Sequence, residues 1–298
     1  MENREQTISR VTIWGAIANM ALSAIKLCAG ILGHSAAMVA DAVHSISDLA
    51  SDIVILVMVK ISSRKQDKDH DYGHGKYETL ATAAVALLLL VVGGKLMAGA
   101  IGRIHAILGG DAGLEPGWIA FGAALISIAV KEVLYQWTAR VGKRVNSPAM
   151  ITNAWHHRTD ALSSVASAIG IGAALMLGGR WAILDPLVCC VISIFIICIA
   201  VKMAIPALNE LTEGSLPEDM ENDITQVIQS VDGVDNVHAL KTRRNGPNIM
   251  IEAHVVVNPA MSVREAHIIT DHAENALRKR YGAETHISLH IEPSIEAE

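Results

Sequence analysis

Long apolar stretches separated by short polar breaks fill the chain up to residue 208, where a different rhythm begins. A segment needs about 20 apolar residues to cross a bilayer as a helix. Such segments run over 11–33, 38–61, 79–104, 117–139, 149–178 and 182–208, predicting six helices. They are broken by Gly33-His34-Ser35, the charged stretch Ser62 to Glu78, Gly109 to Gly117, Arg140 to Pro148, and Gly178-Gly179-Arg180.

From 209 to 298 apolar and charged residues alternate as in a water-facing domain, and the pattern reads helix, strand, strand, helix, strand. Pro217 opens the first helix, with Glu218 and Asp219 in the turn where the helix dipole favours acids. Asn245-Gly246 separates two strands, the second carrying Ile249, Ile251, Ala253, Val255 and Val257 on one face. Ser262 and Glu265 have capping-box spacing ahead of the second helix, and Glu284 to Glu292 gives the last strand. The expected architecture is an α-helical membrane protein in two parts, residues 1–208 and 209–298.

Composition agrees: 51% of the 298 residues are hydrophobic and 18% charged, with a mean hydropathy of +0.37. A net charge of -6 offers no basic surface for nucleic acid. Cys28, Cys189, Cys190 and Cys198 all lie in apolar segments, which speaks against a disulfide framework. The polar start MENREQTISR shows no removable signal. Arg4, Arg10, Arg64, Lys65, Lys68, Lys76, Arg140, Lys143 and Arg144 fall on one side of the six spans and Arg180 on the other, so both termini are expected in the cytoplasm. Arg103 ends the third span and can snorkel outward.

Ionisable residues inside apolar spans are functional suspects, because an unpaired charge there is expensive. His44 and Asp48 stand four apart in the second span, and His156 and Asp160 four apart in the fifth. Residues i and i+4 share a helix face. The two spans run antiparallel, so face-to-face packing sets a His opposite an Asp at two levels, an N2O2 set fit for a tetrahedral divalent metal. Zinc leads, with Fe2+, Mn2+, Co2+ and Cd2+ also accommodated; the lack of thiolate disfavours Cu(I), and two imidazoles disfavour Mg2+ and Ca2+. Asp41 and Asp52 extend the second-span stripe, either as carboxylates along an ion path or as an interfacial cap. His157, about 100° off the ligand face, reads as a solvent-side neighbour, and Asn153 and Ser164 as hydrogen-bond partners of the ligands. Lys26, Lys95, Lys131, Glu132 and Lys202 read as interhelical pairs or snorkelling ends.

The segments ADAVHSISDLASD, DHDYGHGKYETL and NAWHHRTDALSS, together with the tail, resemble the cation diffusion facilitator family of divalent-metal efflux transporters over nearly the full length. The resemblance implies a transport site at His44, Asp48, His156 and Asp160, matching the independent reading. It further implies a loop metal site at Asp67, His70 and His74, and a Lys76 to Glu213 pair joining membrane part and tail. The tail would be a metallochaperone-like αββαβ cytoplasmic domain through which two copies form a homodimer. His238, His254, His267, His290 and Glu292 would hold regulatory zinc there. The implied activity is efflux of zinc in exchange for protons by alternating access, with iron(II) or manganese efflux, or a membrane metal sensor without transport, as the alternatives. A secondary transporter of the bacterial inner membrane is thus expected, and not an enzyme: the quartet leaves no open coordination position, and neither a separate nucleophile nor H-E-x-x-H appears.

Overall fold

The computed structural model describes residues 4–62, 64, 66–110, 115–144 and 147–294, without the side chains of residues 4–9, 52, 55, 56, 59, 148, 149, 152, 179 and 180. Lys65 and the side chains of Arg4, Asp52 and Arg180 therefore lie outside the described residues.

Six long helices come first: α1 (Arg4–Leu32), α2 (Ala36–Ser62), α3 (Lys76–Leu108), α4 (Trp118–Arg144), α5 (Pro148–Leu177) and, after a short 3-10 turn at Gly179–Ile183, α6 (Leu184–Leu211). Among the described residues, five of them contain windows long and apolar enough to cross a membrane. Helix α2 carries Asp41, His44, Asp48 and Asp52. Most helices outrun the apolar stretches, because a backbone already hydrogen-bonded along the axis continues through a polar turn. Lys76 and Glu78, expected in a loop, form the first turn of α3.

The chain divides into two compact units, residues 1–54 with 85–202, and residues 55–84 with 203–298. In the first, α4 packs along α5 and against α1. Its core is built of small residues, Ala29, Ala37, Ala120, Ala123, Ala124 and Ala168, around Met38 and Ile171, the composition that lets helix backbones approach where lipid supplies no hydrophobic drive. Gly33 shows how close: a Cβ there would sit 2.8 Å from that of Ala120, while its carbonyl accepts the Gly117 N–H at 2.7 Å. Leu87, Leu88, Val133, Leu162, Ile169 and Phe195 point outward, as faces toward acyl chains should. All five tryptophans are surface residues. Trp14, Trp137 and Trp155 mark the end where α1 and α5 begin; Trp118 and Trp181 mark the other, the disposition of two interfacial belts.

The second unit contains α7 (Glu218–Gln229), β1 (Asn236–Asn245), β2 (Asn248–Val257), α8 (Val263–Tyr281) and β3 (His286–Pro293), in the order read from the sequence. The sheet runs β1-β2-β3, antiparallel then parallel. Ile249, Ile251, Ala253, Val255 and Val257 are all buried, against Ile224 and Ile228 of α7 and Ala273 and Leu277 of α8. The capping box at Ser262 and Glu265 forms as expected. Gly246 sits at φ +60°, and a Cβ there would lie 2.5 Å from the carbonyl oxygen of Gly75. This hairpin turn tolerates only glycine on both counts.

Candidate metal sites

One turn of α2 separates His44 from Asp48, with Nε2 and Oδ2 3.8 Å apart, and one turn of α5 separates His156 from Asp160, with Nδ1 and Oδ1 also 3.8 Å apart. His44, Asp48 and Asp160 each bring a ligand atom within 4.8 Å of the others. His44 and Asp160 are buried. His156 stands outside this compact trio, its side chain 52% exposed.

The four residues do not share equal surroundings. A cavity of about 110 Å³ is lined by Gly15, Asn19, Asp48, Lys131, Asn153, His156, His157 and Asp160. His157 is only 4% exposed, so its reading as a solvent-side neighbour is corrected: α5 buries that face against α1, with Nδ1 3.5 Å from Asn19 Nδ2. Asn153 lines the cavity, as a ligand-supporting position should. Ser164 turns elsewhere, donating to Asp41 Oδ2 at 2.8 Å and meeting Ser127 Oγ at 2.9 Å.

Two lysines read as interhelical pairs prove to be paired inside the membrane part. Lys26 Nζ lies 2.8 Å from Asp41 Oδ2, both side chains fully buried. Ser163 donates to the other carboxylate oxygen at 2.6 Å. Lys131 Nζ lies 3.3 Å from Asp160 Oδ2. Sequence reasoning flagged both lysines as unusual without finding their partners, since nothing in spacing relates residue 26 to 41 or 131 to 160. At the opposite helix ends Asp185 accepts from Ser35 and from the Ala36 and Ala37 N–H groups, capping α2. Arg103, expected to snorkel, donates to the His34 carbonyl at 2.9 Å.

In the second unit Asp67, His70 and His74 converge. Asp67 Oδ1 accepts the Asp69 and His70 N–H groups at 3.0 and 2.9 Å, and its carboxylate lies 3.1 Å from His70 Nδ1 and 3.2 Å from His74 Nε2. The Asp69 N–H first, then His70, holds its carboxyl below the usual aspartate range. Glu213 receives both Lys76 and Arg243. The Lys76 hydrogen bond chiefly keeps its carboxyl below the usual range. Nearby, Thr79 and the Gly246 N–H both donate to Glu210 at 2.7 Å.

The tail cluster follows from strand register. His238 pairs with His254 across β1 and β2, and His254 with His290 across β2 and β3, so three imidazoles form one row. Glu292, two residues beyond His290 and on the same face, reaches back to His238 Nε2 at 2.8 Å and His254 Nδ1 at 2.7 Å. Desolvation raises its carboxyl, but the two imidazoles outweigh that and leave it below the usual range. His290 Nε2 is 3.9 Å from the same carboxylate. His267 does not join this cluster; it sits on α8, 3.8 Å from Asp271 and well exposed.

A family model described as "Cation efflux transmembrane domain" matches residues 12–212, and one described as "Cation efflux protein, cytoplasmic domain" matches 216–294. Metal tolerance protein C1 of Arabidopsis thaliana is 33% identical over 94% of this chain, which spans 61% of that relative's length. Metal tolerance protein 2 of Oryza sativa subsp. japonica is 32% identical, over 95% of this chain and 77% of its own. Manganese efflux system protein MneP of Bacillus subtilis is 29% identical over 98% of both chains. Among solved structures, CzrB in its zinc form is 33% identical, covering 28% of this chain and 96% of its own, with a TM-score of 0.25.

Proposed function

The chain belongs to the cation diffusion facilitator family of cation efflux proteins, and from that premise we propose that it exports a divalent metal, zinc foremost, in exchange for protons by alternating access. The observation that carries this reading is the convergence of His44, Asp48 and Asp160 on one point inside a helical membrane domain. His156, half exposed at the cavity, completes the set when a metal draws its Nδ1 or Nε2 inward. Two imidazoles and two carboxylates suit zinc. Manganese is the second reading, favoured by the likeness to the Bacillus protein named for manganese efflux.

Exchange follows from the chemistry of the ligands. Each must be deprotonated to bind metal, so protons arriving from the far side compete for the same lone pairs and release the ion. The cavity is lined by Thr12 to Ser23 of α1, the middle of α2 around Asp48, Lys131 at the middle of α4 and Asn153 to Asp160 in the first half of α5, reaching toward the end that the distribution of Lys and Arg assigns to the cytoplasm. The buried pair of Lys26 and Asp41, tied to Ser163 and Ser164, lies beyond the ligands toward the opposite end. Under this reading the protein sits in a bacterial inner membrane with both termini cytoplasmic, residues 1–208 carrying transport and 209–298 sensing metal and joining two copies.

Liposomes carrying a zinc-sensitive and a pH-sensitive dye test the proposal. Zinc movement with opposite proton movement supports it; zinc binding without gradient-driven flux overturns it in favour of a sensor, and a manganese flux outpacing zinc overturns the metal.

For the tail, the row of His238, His254 and His290 with Glu292 supports zinc binding as a regulatory signal, and the loop trio Asp67, His70 and His74 supports a further site. In an Asp48→Ala background, Glu292→Ala is expected to weaken zinc binding at the tail at least about tenfold, as loss of a carboxylate partner does at other metal sites. Calorimetric titration of the full chain measures this, and an unchanged isotherm would remove Glu292 from the site.

A further inference from the structure

Lys131 sits where a metal-binding site should least tolerate it. Its side chain is 2% exposed, and its ammonium lies 3.3 Å from Asp160 Oδ2, an oxygen available to a metal. Helix α4 fixes it there. Ser127, one turn earlier on the same helix, meets Ser164 of α5 at 2.9 Å, and Ala123 and Ala124 keep the interface narrow. Lys131 also lines the same cavity as Asp48 and His156.

We infer that Lys131 is the resident cation of the transport site, which an arriving metal must displace from Asp160 and which thereby sets how tightly the metal is held and how fast it leaves. This rests on the transport-site reading above. The argument is electrostatic. Without metal, the ammonium offsets part of the repulsion between two carboxylates whose oxygens lie within 4.8 Å. A metal bound to that Asp160 oxygen at about 2.2 Å would lie within about 5.5 Å of an ammonium that stayed in place. Two dissolved charges tolerate such a distance, whereas at low dielectric the repulsion lowers affinity steeply. Asp160 therefore exchanges one cation for another. The returning ammonium then assists release, so the site binds metal without trapping it.

The test uses the full chain in detergent, titrated with Zn2+ alone and then with Mn2+ alone. Lys131→Gln should bind zinc at least about tenfold more tightly than the wild type, with KM and kcat for transport both lower because release slows. Lys131→Arg, which keeps the charge, should stay within about threefold of the wild-type affinity. Unchanged or weaker zinc binding by a folded Lys131→Gln protein would overturn the inference. A measurement without any variant guards against misfolding: in a zinc-bound structure of the wild type the ammonium should have left Asp160, and finding it still within 4 Å would overturn the inference equally. Asp48→Ala separates the two levels. If it binds as many zinc ions as the wild type does, the transport-site reading falls and the inference falls with it; if it binds one fewer, keeping those of the loop and tail, while Lys131→Gln matches the wild type, the inference alone fails.

Discussion

Replacing Asp48 with alanine is expected to lower metal flux in proteoliposomes at least about 100-fold while leaving the protein folded. Losing a partner that merely orients a ligand costs about 10- to 100-fold at other metal sites, and Asp48 is proposed as a ligand itself. The structure makes this aspartate the cleaner choice over Asp160. Asp48 has His44 as its neighbour at 3.8 Å, an imidazole and not a permanent cation. Asp160 also holds the ammonium of Lys131, so Asp160→Ala would strand a buried charge and confuse lost ligation with lost stability. Flux should be measured with the dyes described above, alongside a thermal melt. Retained metal-dependent transport in a folded Asp48→Ala protein would remove the quartet from the mechanism.

The second large effect concerns stability. Lys26→Met should destabilise the protein by about 3–5 kcal/mol, because removing one member of a buried ion pair leaves the other uncompensated. Here Asp41 would keep its bonds from Ser163 and Ser164. The double variant Lys26→Met with Asp41→Leu should recover most of that loss, since apolar residues of similar volume often replace a buried pair without penalty. Denaturation of the two single variants and the double in detergent gives the coupling directly. Additive effects would mean that the pair is not coupled. The same proteins decide the role of Asp41. If it caps the helix interface, the restored double variant transports metal; if it lies on the ion path, the double variant is stable and inactive.

Much of this molecule was legible from one dimension. Apolar run lengths predicted all six long helices. Alternation predicted the buried face of β2, and the S-x-x-E spacing predicted the cap of α8. His44 with Asp48 and His156 with Asp160 were visible because an i, i+4 relation is local and helical geometry is fixed. The resemblance supplied the loop trio and the meeting of Lys76 with Glu213, and both are present as contacts.

What spacing could not reach were relations between residues far apart in sequence. The pairing of Lys131 with Asp160 and of Lys26 with Asp41, and the burial of His157 where a solvent position was expected, all depend on helix rotation and on which helices are adjacent. Periodicity says which residues share a face of one helix. It does not say which neighbour that face meets, because helix rotation and approach are set by the summed packing of small residues such as Gly33 and Ala120, each worth little alone. The sequence by itself therefore determined the elements, the candidate ligands and the family. Only the tertiary structure decided which charges share a buried site, because a charge in a low-dielectric interior takes its partner from whatever the packing brings within reach.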